Sequence, residues 1–184
     1  MKLTKLELNF HEYEWVKKHF NNVGMTEEID IKDVLEHAGV NAALDYLTFY
    51  DHKPFQLKLC KWVKHIYKEY DTNKHFRYAL KHCEKNIFDK LRLLDQLRDD
   101  LPIMYLQNIA AGHAAECVFL TTMAYLGRFT LKETAFSALT AFVAYNQPDE
   151  QRPFAEYPKT FSALHDQGLA NISNFIIDFV KDTK

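Results

Sequence analysis

A chain of 184 residues and 21.7 kDa, 47% hydrophobic and 26% charged with five glycines and five prolines, has the make-up of a folded protein and excludes the collagenous, low-complexity and largely disordered classes. About 70% of the unfolded surface can be buried at this length, so packing alone can hold a fold without disulfides or a structural metal. A net charge of −2 and an isoelectric point near 6.5 exclude the strongly basic balance of a protein that coats nucleic acid.

The opening segment reads two ways. Leu6, Leu8 and Phe10 alternate as in a strand, whereas Leu3, Leu6, Phe10 and Tyr13 share a helical face, and the helix is the reading adopted. Glu7 arrives before an apolar run can form, so no secretory signal is expected. Asp30 is placed to cap a short helix that Gly39 stops, and residues 41–50 make another. Pro54 suits the first turn of a helix whose apolar stripe is Phe55, Leu59, Val63, Ile66 and Tyr70, with a break at residues 71–73. Phe76, Leu80, Cys83, Ile87, Leu91, Leu94 and Leu101 then recur at three, four or seven, which predicts one long helix.

Pro102 is expected to open a third helix and Gly127 to close it in the left-handed conformation. Thr130 and Glu133 form a capping-box pattern for the next helix, which carries Ala135, Ala138, Leu139, Phe142 and Val143. These two helices, 102–126 and 130–145, are apolar nearly all round and closely linked, which predicts a central antiparallel hairpin. Gln107, Asn108, His113 and Glu116 make the first a buried helix rather than a membrane span. Residues 146–158 hold three prolines and read as a long loop, and a last helix runs from about Lys159 to Asp182 on Phe161, Leu164, Leu169, Ile172, Phe175, Ile176 and Phe179. No repeat of 20 to 50 residues is evident. The expected fold is all-α: an irregular bundle of about seven or eight helices around the apolar hairpin, forming one domain over residues 1–184.

Chemistry-bearing patterns are sparse. Cys60, Cys83 and Cys117 lie far apart without paired spacing and read as buried, reduced thiols, pointing to a cytoplasmic protein. His113, Glu116 and Cys117 share one face of the central helix and could offer ligands to a divalent ion, the basis of an alternative reading as a metal-dependent helical enzyme. A self-satisfied His–Glu pair explains the same spacing, so no metal, cofactor or catalytic residue is assigned. His165-Asp166 is similar to the dipeptide of HD-type phosphohydrolases, but Asp178 follows on the same predicted helix, where the ligand arrangement would be wrong. There is no glycine-rich phosphate loop, serine elbow or H-E-x-x-H.

Charge is segregated along the chain. Residues 1–52 hold 5 Lys/Arg against 10 Asp/Glu, residues 53–92 hold 11 against 4, and residues 93–157 hold 4 against 8. Lys58, Lys61, Lys64 and Lys68 line one helix face, which supports a second alternative, a nucleic-acid-associated regulator, although lysines without arginine or aromatic partners more often form a solvated face. Between Gly24 and His52 only Lys32 opposes a run of carboxylates. Capping and the helix dipole account for some of them. The surplus nominates Glu28, Asp30, Asp33, Glu36, Asp45 and Asp51 as a surface for a basic protein partner.

The run Leu59-Cys60 through Tyr67, then Arg77-Tyr-Ala-Leu80, then Ala110-Ala-Gly-His-Ala-Ala115 resembles the helical immunity proteins that neutralise bacterial antagonism toxins, over about a third of the chain. The resemblance implies a cytoplasmic antidote without chemistry of its own, which binds a basic toxin domain and covers its active site. The leading expectation is thus a non-enzymatic protein-binding protein, with nucleic acid and membrane not among its partners.

Overall fold

The computed structural model describes residues 2–9, 11–70, 74–85, 91–147 and 157–182. The fold is all-α, with nine helices and one two-stranded sheet among the described residues. The chain forms two compact units, one of residues 1–51 and 172–184, the other of residues 52–171.

In the first unit β1 (Lys2–Thr4) pairs antiparallel with β2 (Glu28–Asp30), Leu3 opposite Ile29. Leu3 and Ile29 are buried while their neighbours are more exposed, the period-two pattern of a sheet wetted on one face. The helical reading of the N-terminus is corrected for residues 2–4 and holds for α1 (Lys5–Asn9). A three-residue strand exists only through its partner, and that partner lies more than twenty residues on. α2 (Glu14–His19) buries Val16.

α3 (Ile31–Leu47) starts as expected, with Asp30 Oδ1 accepting the Lys32 N–H at 2.9 Å. Gly39, at φ 81°, ψ −176°, breaks it into two helical pieces. That left-handed φ is open to glycine at no steric cost. Tyr46, Leu47 and Leu44 are buried beyond the break.

The second unit holds α4 (Lys53–Tyr70), α5 (Lys74–Glu84), α6 (Leu91–Gln107), α7 (Ile109–Tyr125), α8 (Leu131–Asn146) and the first part of α9 (Tyr157–Asp182), whose later part belongs to the first unit. Phe55, Leu59, Val63 and Ile66 of α4 and Phe76, Leu80 and Cys83 of α5 are buried, as their spacing predicts. The single long helix from Phe76 to Leu101 is replaced by α5 and α6, and Ile87 lies outside the described residues, as does most of the 146–158 loop.

α7 and α8 form the hairpin, with Ala110, Ala111, Ala114, Ala115, Ala135, Ala138 and Ala141 all buried. Small side chains let helix axes approach, so α7 packs most extensively on α8 and then on α6 and α4. Pro102 does not open this helix; it sits inside α6 with its side chain exposed. The break comes instead at Asn108 (φ −163°, ψ 133°), whose side-chain oxygen accepts the Ala111 N–H at 3.1 Å. An asparagine cap satisfies an orphan amide, which a proline can only omit.

Gly127, at φ 82°, ends α7 as expected: its N–H donates to Ala124 O and that of Arg128 to Met123 O, the paired bonds of a Schellman turn. The capping box is corrected. Thr130 occupies the N-cap of α8, but its hydroxyl donates to Leu120 O at 2.8 Å and accepts from Gln56 Nε2 at 3.0 Å. Burial of Thr130 commits its hydroxyl to neighbouring helices rather than to its own first turn. Among the described residues no helix is long and apolar enough to cross a membrane.

Candidate functional site

The acidic run of the first unit divides when placed in three dimensions. Glu28 and Asp33 line an open cleft of about 320 Å³ together with Glu27, His19 and His37, over an apolar wall of Phe20, Val23 and Ile29. Glu36 is exposed on α3, and Asp30 is engaged in the helix cap. Asp45 lies beyond the Gly39 break and Asp51 follows the end of α3, and neither lines the cleft. Glu28 forms an ion pair of 3.5 Å with Lys2, both side chains more than half exposed, so the pair holds the carboxylate only weakly. The histidines were not legible as cleft residues: His19 ends α2 and His37 lies on α3, and the packing of these two helices, with Phe20 edge-on to the His37 ring, brings them together.

A second constellation surrounds Glu116 in the other unit. Tyr105 comes from α6, His113 and Glu116 from α7, and Ser137 from α8. Glu116 Oε2 accepts from the Tyr105 hydroxyl at 2.8 Å and the Ser137 hydroxyl at 2.6 Å, with His113 Nδ1 at 3.4 Å. His113 Nδ1 also lies 3.0 Å from the Tyr105 oxygen. The tyrosine proton goes to Glu116, so the proton on this short contact is supplied by the Nδ1–H tautomer of the histidine. Gly112 makes the approach possible: a Cβ there would lie 2.3 Å from Cδ1 of the Tyr105 ring. Tyr105 and Ser137 carried no sequence signal, since their partnership depends on the crossing of three helices.

The hydrogen bond from His113, then those from Ser137 and Tyr105, hold the Glu116 carboxyl down to about 2 against the opposing effect of burial. Burial first, and the adjacent carboxylate second, push the Tyr105 phenol upward. Near neutral pH the glutamate is therefore ionised and the tyrosine protonated. Efficient general acids and bases have a pKa near the working pH. These two groups form a positioned anion and its donors rather than a proton-transfer pair. His113 and Glu116 are brought together as the sequence spacing requires, yet among the described residues no group of three or more His, Cys, Asp or Glu side chains could hold a metal ion.

The remaining sequence candidates sit in ordinary surroundings. Cys60 Sγ lies 3.0 Å from Thr121 Oγ1 and 3.5 Å from Cys117 Sγ, and all three cysteines are free and buried. Burial pushes the Cys83 thiol up to about 12 and raises that of Cys117 well above the ordinary range, which leaves both as unreactive thiols at neutral pH. Lys58 and Lys64 are half-buried, Lys61 pairs with Glu84 at 3.7 Å, and the side chain of Lys68 lies outside the described residues. His165 Nδ1 is 4.0 Å from Asp166 Oδ1 on a solvated part of α9.

No protein-family model matches the chain, and neither a curated protein nor a solved structure matches it.

Proposed function

We propose that this is a non-enzymatic protein-binding protein, and more specifically an immunity protein that covers the active site of a cognate basic toxin domain in the cytoplasm. The observation that carries the binding role is the cleft where Glu27, Glu28 and Asp33 meet above Phe20, Val23 and Ile29. Carboxylates at the rim of an apolar recess suit the lysine and arginine side chains of a basic partner, speeding encounter and fixing register. The toxin class rests on the resemblance carried by residues 59–67, 77–80 and 110–115. A metal-dependent enzyme at His113 and Glu116 has less support, because Glu116 Oε2 and His113 Nδ1 already bond to protein groups. The nucleic-acid reading has less support too, since Glu84 partly neutralises the lysine stripe.

The test is a titration against a candidate basic toxin domain recovered by pull-down from a cognate lysate, using Asp33→Lys combined with Glu36→Lys. Both side chains are exposed on α3, so the fold is retained. The double reversal is expected to slow association at least about tenfold at low salt and by much less at high salt. Equal binding by the two proteins at both salt concentrations would make the acidic run a solvated face. A toxin domain that the wild-type chain neither binds nor inhibits would overturn the immunity reading.

A further inference from the structure

The acidic cleft of the first unit holds two imidazoles that the capture of a basic partner does not use. His19 at the end of α2 and His37 on α3 line the same recess of about 320 Å³ as Glu27, Glu28 and Asp33. The edge-on contact with the buried Phe20 ring, 6.2 Å between centroids, fixes the His37 imidazole at the cleft wall. Histidine is the side chain whose charge ordinarily changes between pH 5 and 8. As the medium acidifies, two positive charges therefore join the three negative ones that line the recess.

The other charges around the cleft do not follow this change. Lys2 of β1 pairs with Glu28, Lys17 pairs with Glu14 on α2, and the Lys5 ammonium of α1 is committed to Asn21 O and Val23 O. Glu7 of α1 accepts the Thr4 N–H, and Asp30 of β2 caps α3. Lys18, Lys32 and Glu36 are exposed on their helices and do not line the cleft, and Asp45 lies beyond the Gly39 break. Lysine and carboxylate charges are ordinarily constant from pH 5.5 to 7.5. Among the lining residues only the two imidazoles switch.

A proton on an imidazole and a cation from a partner are alternative neutralisers of the same carboxylates. A recess of this volume is about 7 Å on a side, shorter than the Debye length of about 8 Å at physiological salt and far shorter than the roughly 30 Å at 0.01 M, so an incoming charge feels each imidazolium. We propose that His19 and His37 make the cleft a proton-tuned docking site, which binds a lysine or arginine of a basic partner more tightly when both imidazoles are neutral than when they are charged. This inference rests on the reading that the acidic cleft takes a basic protein partner, and it adds the regulation of that same site.

The test titrates the full chain with the peptide acetyl-Lys-Lys-Lys-Lys-amide in about 10 mM salt at pH 7.5 and 5.5. The side-chain carboxyl carbons of Glu27, Glu28 and Asp33 are followed by NMR, and the heat is measured in two buffers of different ionisation enthalpy. At pH 7.5 the peptide is expected to shift those carboxyl signals saturably. Two like charges about 7 Å away in water should weaken its binding about fourfold at pH 5.5. By linkage, capture should then release about 0.3 proton per peptide, averaged over that range. His19→Gln combined with His37→Gln, both at exposed positions, should bind with one affinity at the two pH values and release no proton. Equal wild-type affinity at both, or a pH dependence that the double variant keeps, would overturn the proposal and leave the cleft a site for basic groups. Carboxyl signals that do not move at pH 7.5 would overturn both the proposal and the acidic-cleft reading beneath it.

Discussion

The two units differ in where their buried polar groups find partners. In residues 52–171 polar side chains meet one another: Gln56 Nε2 donates to Thr130 and Thr134 Oγ1 at 3.0 and 2.7 Å, Cys60 contacts Thr121, and Ser137 reaches Glu116. In the other unit they serve the backbone. The Lys5 ammonium donates to Asn21 O and Val23 O at 2.9 and 2.8 Å, and the Tyr46 hydroxyl to Ile29 O at 2.7 Å. Continuous helices satisfy their own amides, so a side chain buried between them finds another side chain or shares a helix carbonyl, as Thr122 does with Val118 O and Thr134 with Thr130 O. Short strands and turns leave carbonyls open, and buried donors are drawn to those. Charge follows a similar division: the helical unit orients one part-buried anion, Glu116, through three side-chain donors, and the irregular unit gathers several carboxylates in a cleft.

Removing apolar volume should have the largest effect on the helical unit. Phe55 is fully buried on α4, and Phe55→Ala should cost about 3 to 5 kcal/mol in urea unfolding through lost transfer energy and the cavity left behind. A loss below about 1 kcal/mol would place the core elsewhere and dissolve the contrast between the units.

The oriented anion gives a smaller, pH-dependent effect. Glu116 titrates near 2 in the folded protein and near 4.5 without its partners. A depressed carboxyl adds stability that is complete above the unfolded value and lost as pH falls through the folded one. The full shift corresponds to over about 3 kcal/mol. The side chain is 34% exposed, and solvent screening brings this to about 1 to 2 kcal/mol. The gap in unfolding free energy between wild type and Glu116→Gln should therefore be constant from pH 7 to 5 and narrow from pH 4.5 to 2. A gap that does not change over that range would show that the three donors do not favour the charged form.

Gly112 tests how that anion is built. An alanine gains helix propensity of about 1 kcal/mol over glycine. Its Cβ would overlap the Tyr105 ring, and overpacking of this kind costs about 1 to 3 kcal/mol. Gly112→Ala should therefore destabilise by about 1 kcal/mol in the wild-type chain yet stabilise by up to about 1 kcal/mol in a Tyr105→Ala background. Destabilisation in both would mean that the ring is not what requires the glycine.

Legibility in the sequence followed how local each cause is. The stripes of α4 and α5, the Asp30 cap, the Gly39 break and the Gly127 terminator depend on residues within a few positions, and each is present. Pro102 and Thr130 misled because the deciding partner was elsewhere: Asn108 caps α7, and Leu120 O takes the threonine hydroxyl. The His113–Glu116 pair was readable from its spacing on one helix, whereas Tyr105 and Ser137, which turn it into an oriented anion, join through tertiary packing. The acidic surplus was countable, but which carboxylates share a cleft depends on how β2 and α3 meet the end of α2, a tertiary contact.

The smallest effect belongs to the irregular unit, at the donor that Tyr46 gives to the backbone. Its ring is completely buried and its hydroxyl reaches Ile29 O in β2, at the floor of the acidic cleft. Burial, with Tyr50 nearby, raises the phenol, so it remains a donor at neutral pH. Tyr46→Phe keeps the ring and removes only the hydroxyl. It should cost about 0.5 to 1.5 kcal/mol, the net worth of one hydrogen bond. The same substitution should speed hydrogen exchange at the β1 and β2 amides relative to those of α7, because a strand pair of three residues has few other attachments. If exchange in α7 rises as much as in the strands, the bond supports the chain globally and the two units do not differ in this respect. If neither changes, the carbonyl of Ile29 is satisfied without Tyr46, and side-chain donation to the backbone is not what organises this unit.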